Sequence, residues 1–226
     1  MVRAPRATLT AAIQNPRSLD LAVLVLAIST VCSVGFLLTR VGQLAALDQQ
    51  VRQLESFGAV ITDDTYAELR RLVPYRPAIS AAMILFGWPL AWLALAGILY
   101  TLGNRFEATR GRHQRPTFAQ VLSVLIHTSA IFAVRALIAT PVNYARESLG
   151  GATSLSVLMP SFSESTFPAR LLGAIDIFVV WWVALVALGL SILYQTRTLP
   201  IARWLFGAYA AGASVLALTQ ALRGGV

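Results

Sequence analysis

Apolar residues in this chain gather into five long blocks, at 21–39, 79–102, 119–139, 171–194 and 204–222, and most polar residues fall between them. A helix advances about 1.5 Å per residue, so about 20 apolar residues cross a hydrocarbon layer of about 30 Å. All five blocks are of that order, and backbone polar groups inside lipid must be satisfied within each segment. The pattern therefore predicts an all-α polytopic membrane protein, a bundle of five transmembrane helices. With 226 residues in the chain, too little remains between the blocks to build a soluble domain with its own core.

The stretches between blocks have their own periodicity. In 40–78, Leu44, Leu47, Val51 and Leu54 recur at helical spacing among Gln43, Asp48, Gln50, Arg52 and Gln53, which predicts an amphipathic helix to about Ser56 that Gly58 ends. A second helix is expected from about Asp64, because Thr65 and Glu68 have capping-box spacing and Tyr66, Leu69 and Leu72 share a face. Its apolar stripe either packs over the span ends or meets a partner. The stretch 140–170, with Gly150, Gly151, Pro160 and Pro168, predicts an irregular loop with a short helix at 144–149. Inside the second span, Gly87-Trp88-Pro89 predicts a helix kink, because proline removes a backbone donor and its ring opposes a straight helix. In the fifth, Gly207 with Ala211 and Ala208 with Gly212 form two small-residue ladders that allow close helix packing, within the fold or in a homodimer.

Composition agrees: 57% of residues are hydrophobic and only 12% charged, half the share usual in soluble domains. All 18 basic residues are arginine and the net charge is +8. In a membrane protein such an excess reflects loops retained in the cytoplasm rather than a nucleic-acid partner. The arginines orient the chain with its N-terminus cytoplasmic: the tail 1–20, the loop 103–118 and the turn 195–203 are dense in arginine and poor in acid, and face inward. The helical segment 40–78, the loop 140–170 and the end 223–226 then face outward, around one membrane domain spanning 21–222. The first block exceeds the apolar core of a signal peptide and reads as a retained anchor. Cys32 is the only cysteine, which excludes an intramolecular disulfide and a CxxC pair.

Three ionisable side chains fall inside the blocks: His127 and Arg135 in the third, Asp176 in the fourth. Such groups are expensive in lipid and face partners. Arg135 and Asp176 fall at similar depth in consecutive antiparallel spans, so an intramembrane ion pair with a structural role is expected. His127, with Ser123 one turn earlier, reads as an intramembrane polar pair bonded to a neighbouring helix. His113 is the only other histidine, so no metal cluster assembles. GxSxG, HExxH and phosphate-loop patterns are missing, and neither a catalytic residue nor a cofactor site is expected.

The run Pro116-Thr117-Phe118-Ala119-Gln120-Val121-Leu122-Ser123-Val124, followed by Asp176-Ile177-Phe178-Val179-Val180-Trp181-Trp182 leading to Gly189, resembles the bacterial branch of the Yip family of five-span membrane proteins. The resemblance implies a helical bundle in the bacterial inner membrane, N-terminus in and C-terminus out. Eukaryotic members are linked to Rab GTPases through a long acidic, proline-rich N-terminal region, which this tail lacks. The expected function is a non-enzymatic scaffold or accessory subunit in membrane transport or envelope organisation. Its partners would be the lipid bilayer, other membrane proteins of a larger complex, or a second copy. The alternative is a small transporter or channel using His127, Arg135 and Asp176.

Overall fold

The computed structural model describes residues 4–108, 116–149, 151–155, 172–173 and 175–223, without the side chains of 105–108, 220–221 and 223. Arg110, Arg112, His113 and Arg115 of the loop 103–118, Gly150, all of 156–171 with Pro160 and Pro168, and the terminal 224–226 lie outside the described residues. Helix α1 (Pro5–Gln14) precedes α2 (Leu19–Leu38), α3 (Arg40–Ser56) and α4 (Asp63–Leu72). A 3₁₀ turn (Val73–Tyr75), α5 (Arg76–Ala82), a π-helical turn (Met83–Gly87) and α6 (Trp88–Ala108) follow. Helices α7 (Phe118–Thr128), α8 (Ala130–Ala145), α9 (Ile177–Leu193) and α10 (Thr198–Arg223) complete the all-α fold. Among the described residues, four helical runs are long and apolar enough to cross a membrane: Leu19–Leu38, Asp63–Asn104, Phe118–Ala145 and Thr198–Thr219. Ile177–Leu193 is apolar but shorter, at 17 residues.

Two cores hold the bundle together. In one, Ala96 and Leu99 of α6 meet Val121 and Leu125 of α7, Val186 and Leu190 of α9, and Tyr194, the residue that caps α9. In the other, Ala22 and Val25 of α2 meet Trp92 of α6, Ile126 of α7 and Ala133 of α8. Edge-on rings run from Trp92 through Trp88 to Phe132, which also touches Trp182 of α9. Helices α7 and α9 are central, whereas α10 turns most of its surface outward, with Trp204, Val215, Leu218 and Leu222 exposed. An apolar exterior is what a helix facing lipid requires.

Several elements differ from the sequence expectation. The third apolar block is two helices. The hydroxyls of Thr128 and Ser129 both donate to the Leu125 carbonyl, at 2.9 and 2.8 Å, and such back-bonding competes with the helical ladder where α7 gives way to α8. Helix α8 then continues to Ala145, and the separate short helix expected at 144–149 does not form: Tyr144 and Ala145 close α8, and 146–149 turns away with Glu147 at φ 51°. The N-cap of α4 is Thr62 rather than Thr65: its Oγ1 accepts the Thr65 amide at 3.3 Å. Helix α3 does end at Ser56, with Gly58 at φ 82°. The helical run is not broken at Pro89; the π turn precedes it, widening the backbone where the proline ring and missing donor fall. A Cβ at Gly87 would meet only the tip of Met83, so sterics do not require that glycine.

Candidate functional site

Polar chemistry inside the bundle concentrates at two places, one toward the α3–α4 hairpin and one toward α1. At the hairpin end, Arg135 of α8 and Asp176 form an ion pair, Nη2 to Oδ2 at 2.8 Å. Arg135 Nε donates to Thr153 Oγ1 at 3.2 Å, and that hydroxyl donates to Asp176 Oδ2 at 2.5 Å. Asp176 does not lie a turn inside a span. It is the N-cap of α9, and its Oδ1 accepts the Phe178 amide at 2.8 Å. Its own backbone amide donates to Tyr209 Oη of α10 at 3.3 Å. Residues 153–155 and 175–177 pair as a short antiparallel bridge, Leu155 N to Ile175 O at 2.9 Å and Ile177 N to Thr153 O at 3.0 Å. One carboxylate therefore joins α8, the segment around Thr153 and the mouth of α9, with α10 attached beside it. An aspartate there also suits the positive end of the α9 dipole.

Toward α1, the capping box of α7 is complete: Thr117 Oγ1 accepts the Gln120 amide, and Gln120 Oε1 accepts the Thr117 amide at 2.9 Å. The same glutamine donates through Nε2 to the Ile13 carbonyl at 3.3 Å, and Ser123 Oγ donates to the Ala12 carbonyl at 3.1 Å. These are carbonyls of the last turn of α1, which no helical amide can satisfy. Leu9 and Ala12 are buried, so α1 is docked on α7 and α9 rather than trailing from the bundle. His127 Nδ1 lies 2.8 Å from the Ser123 carbonyl. A carbonyl only accepts, so Nδ1 carries a proton and the ring is tied to its own helix rather than to a neighbouring one. Replacing Gln120 by alanine is expected to remove the cap and one anchor of α1 together. Stability should fall by about 1–2 kcal/mol, and limited proteolysis should cut within 5–18 faster than in the parent protein.

Sequence reasoning singled out Ser123 without its bond to α1, and it missed Gln120, Thr153 and Tyr209. The first had a legible signal, the Thr117 to Gln120 spacing of a capping box; the other two depend on loop and helix placement. His127 and the Arg135–Asp176 pair sit in separate clusters, on either side of the break between α7 and α8. The ladder of Gly207, Ala208, Ala211 and Gly212 is exposed along its whole length, and a Cβ at either glycine meets nothing within 4 Å. It therefore takes no part in packing among the described residues. Among the described residues, no group of three or more His, Cys, Asp or Glu side chains could hold a metal ion.

Comparison with curated proteins and with solved structures finds no match. The family model of the Yip1 domain, however, matches residues 1–221, a range that takes in α1, both polar clusters and nearly all of α10. With its apolar helices and a match running almost end to end, the chain belongs to the Yip1 domain family of membrane proteins.

Proposed function

We propose that this chain is a non-enzymatic, five-span scaffold or accessory subunit of a membrane assembly, of the bacterial type, with α1 on the cytoplasmic side and the α3–α4 hairpin outside. The fifth span in this reading is α9. At 17 residues it is short, but Val183, Val186, Ala187 and Leu190 are buried among its neighbours, and a helix shielded by protein need not match the bilayer by itself. The observation that carries the functional reading is the use of the three ionisable groups His127, Arg135 and Asp176. Arg135 and Asp176 lock α8 to the mouth of α9, and His127 is bonded back to α7. Arginine keeps its proton, so a pair built on it is a poor relay.

The test is purification of the tagged protein in mild detergent with chemical cross-linking and mass spectrometry. A stoichiometric membrane partner should be retained, and retained equally by the R135Q/D176N double variant. A second reading, a small transporter or channel, draws on Ser29 Oγ, Thr30 Oγ1 and Trp182 Nε1, which are buried and have no hydrogen-bond partner among the described residues. Solute or ion flux through proteoliposomes of the protein alone, lost in the same double variant, would establish that reading and end the scaffold proposal.

A further inference from the structure

Four arginines at the hairpin end of the bundle stand in one narrow band. The Ser33 and Ser80 hydroxyls meet at 2.7 Å and mark a common level on α2, which climbs toward the hairpin, and α5, which descends from it. At about 1.5 Å per residue, Arg40 stands roughly 10 Å above that mark and Arg76 roughly 6 Å. The helical run Asp63–Asn104 is continuous from α4 through the 3₁₀ turn Val73–Tyr75 into α5, which puts Arg71 and Arg70 roughly 15 and 17 Å above the mark. All four thus fall within about 11 Å along the axis, and flexible arginine stems span the few ångströms by which that exceeds a headgroup layer of about 5–8 Å. Below the band the run turns apolar from Ile79 onward, and above it come Glu68, Asp64 and Asp63. Charge is sorted by height, with arginine next to the hydrocarbon and the acids farthest from it.

Exposure and pairing separate these arginines from the other arginine of the hairpin. Arg40, Arg70 and Arg71 are exposed and Arg76 is half-exposed. Among the described residues the hairpin's only ion pair joins Arg52 to Asp48, so the four guanidinium groups of the band have no carboxylate partner there. Leu72 and Tyr75, both exposed, stand at the same height. Tyrosine beside arginine, above an apolar helix, matches the bilayer interface, where aromatic rings sit at headgroup level. A guanidinium binds a phosphodiester through two parallel N–H donors.

We propose that Arg40, Arg70, Arg71 and Arg76 bind the phosphates of acidic phospholipids in the leaflet adjoining the hairpin. Each surface arginine is worth about a fivefold preference for an anionic headgroup, a preference that salt screens. The experiment uses the full chain in nanodiscs of phosphatidylcholine with or without phosphatidylglycerol, reading retained lipid by native mass spectrometry. The parent protein should retain phosphatidylglycerol over phosphatidylcholine. The R70Q/R71Q variant, altered only at exposed positions, should lose about 25-fold of that preference, and R70K/R71K should keep most of it. An R17Q/R203Q variant, altered near the opposite end, should leave phosphatidylglycerol retention in the hairpin leaflet intact, as resolved by a leaflet-selective quencher. Equal retention by R70Q/R71Q and parent, or no lipid preference in the parent, would overturn the proposal. So would an acidic peptide that displaces nothing from the parent yet binds it in an arginine-dependent way, since the band would then belong to a protein partner.

Discussion

Leucine at Gly189 is expected to prevent stable assembly of the bundle. Gly189 is buried on α9, and a Cβ there would run into the Val124 side chain of α7. Val124 is fully buried and β-branched, with little rotamer freedom in a helix, so it cannot move aside. The helices would have to part, and Ser123, next to Val124, would be drawn from its bond to α1. Gly103 plays the same part between α6 and α9, where its Cβ would strike the ring of Tyr194. Overpacking costs about 1–3 kcal/mol per substitution and more for a whole side chain. G189A and G103A should therefore lower the unfolding midpoint in detergent by about 3–10 °C, and G189L should yield no folded monodisperse protein. G207L and G212L, placed on the open face of α10, should unfold like the parent. A normal midpoint for G189L with a depressed one for G207L would reverse this assignment of which small residues hold the helices together.

That contrast shows where the sequence is readable and where it is not. Length and apolarity report on the solvent around a helix, so the blocks were legible and the structure keeps four of them within long apolar helical runs, the third divided at Ser129. Small residues report only that two helices can approach, not which two. The ladder at 207–212 has ideal spacing and no neighbour packed on it among the described residues, while Gly103 and Gly189 stand alone in sequence and meet partners far along the chain. Helix α1 was hidden because its apolar face is short, with Leu9 and Ala12 as its buried residues; its stability comes from α7 and α9, and propensity alone does not sustain ten residues. Asp176 looked like a charge within a span because the apolar run was counted from residue 171. The pattern of Asp followed directly by Ile177 and Phe178 is also an N-cap signal, and that reading places the carboxylate at the helix mouth. The break at Ser129 was written in the adjacent hydroxyls of Thr128 and Ser129, a local cue that block-counting averages away.

Neutralising one member of the Arg135–Asp176 pair is expected to harm the protein more than neutralising both. In D176N the asparagine oxygen still caps α9, since Asn and Asp are equivalent N-caps, but Arg135 loses its anion. In R135Q the carboxylate, 15% exposed, keeps Thr153 and the Phe178 amide and loses its cation. A charge left without its partner in a poorly hydrated site costs more than the pair itself contributes. Arg135 is 43% exposed, so each loss should fall below the 3–5 kcal/mol of a fully buried pair, at about 1–3 kcal/mol. The double variant R135Q/D176N should be more stable than the sum of the singles implies, with a coupling of about 1–3 kcal/mol in the cycle. D176A should be the worst single change, by a further ~1 kcal/mol for the lost cap. Unfolding midpoints of the four proteins in one detergent decide the matter. Strict additivity would mean that α8 and α9 take their register from apolar packing and that the carboxylate serves α9 alone. Coupling would instead make Asp176 the common fixing point of α8 and the mouth of α9, with α10 held through the neighbouring amide. In that case the same double variant, stable and uncharged at the site, is the proper background for comparing partner capture with flux.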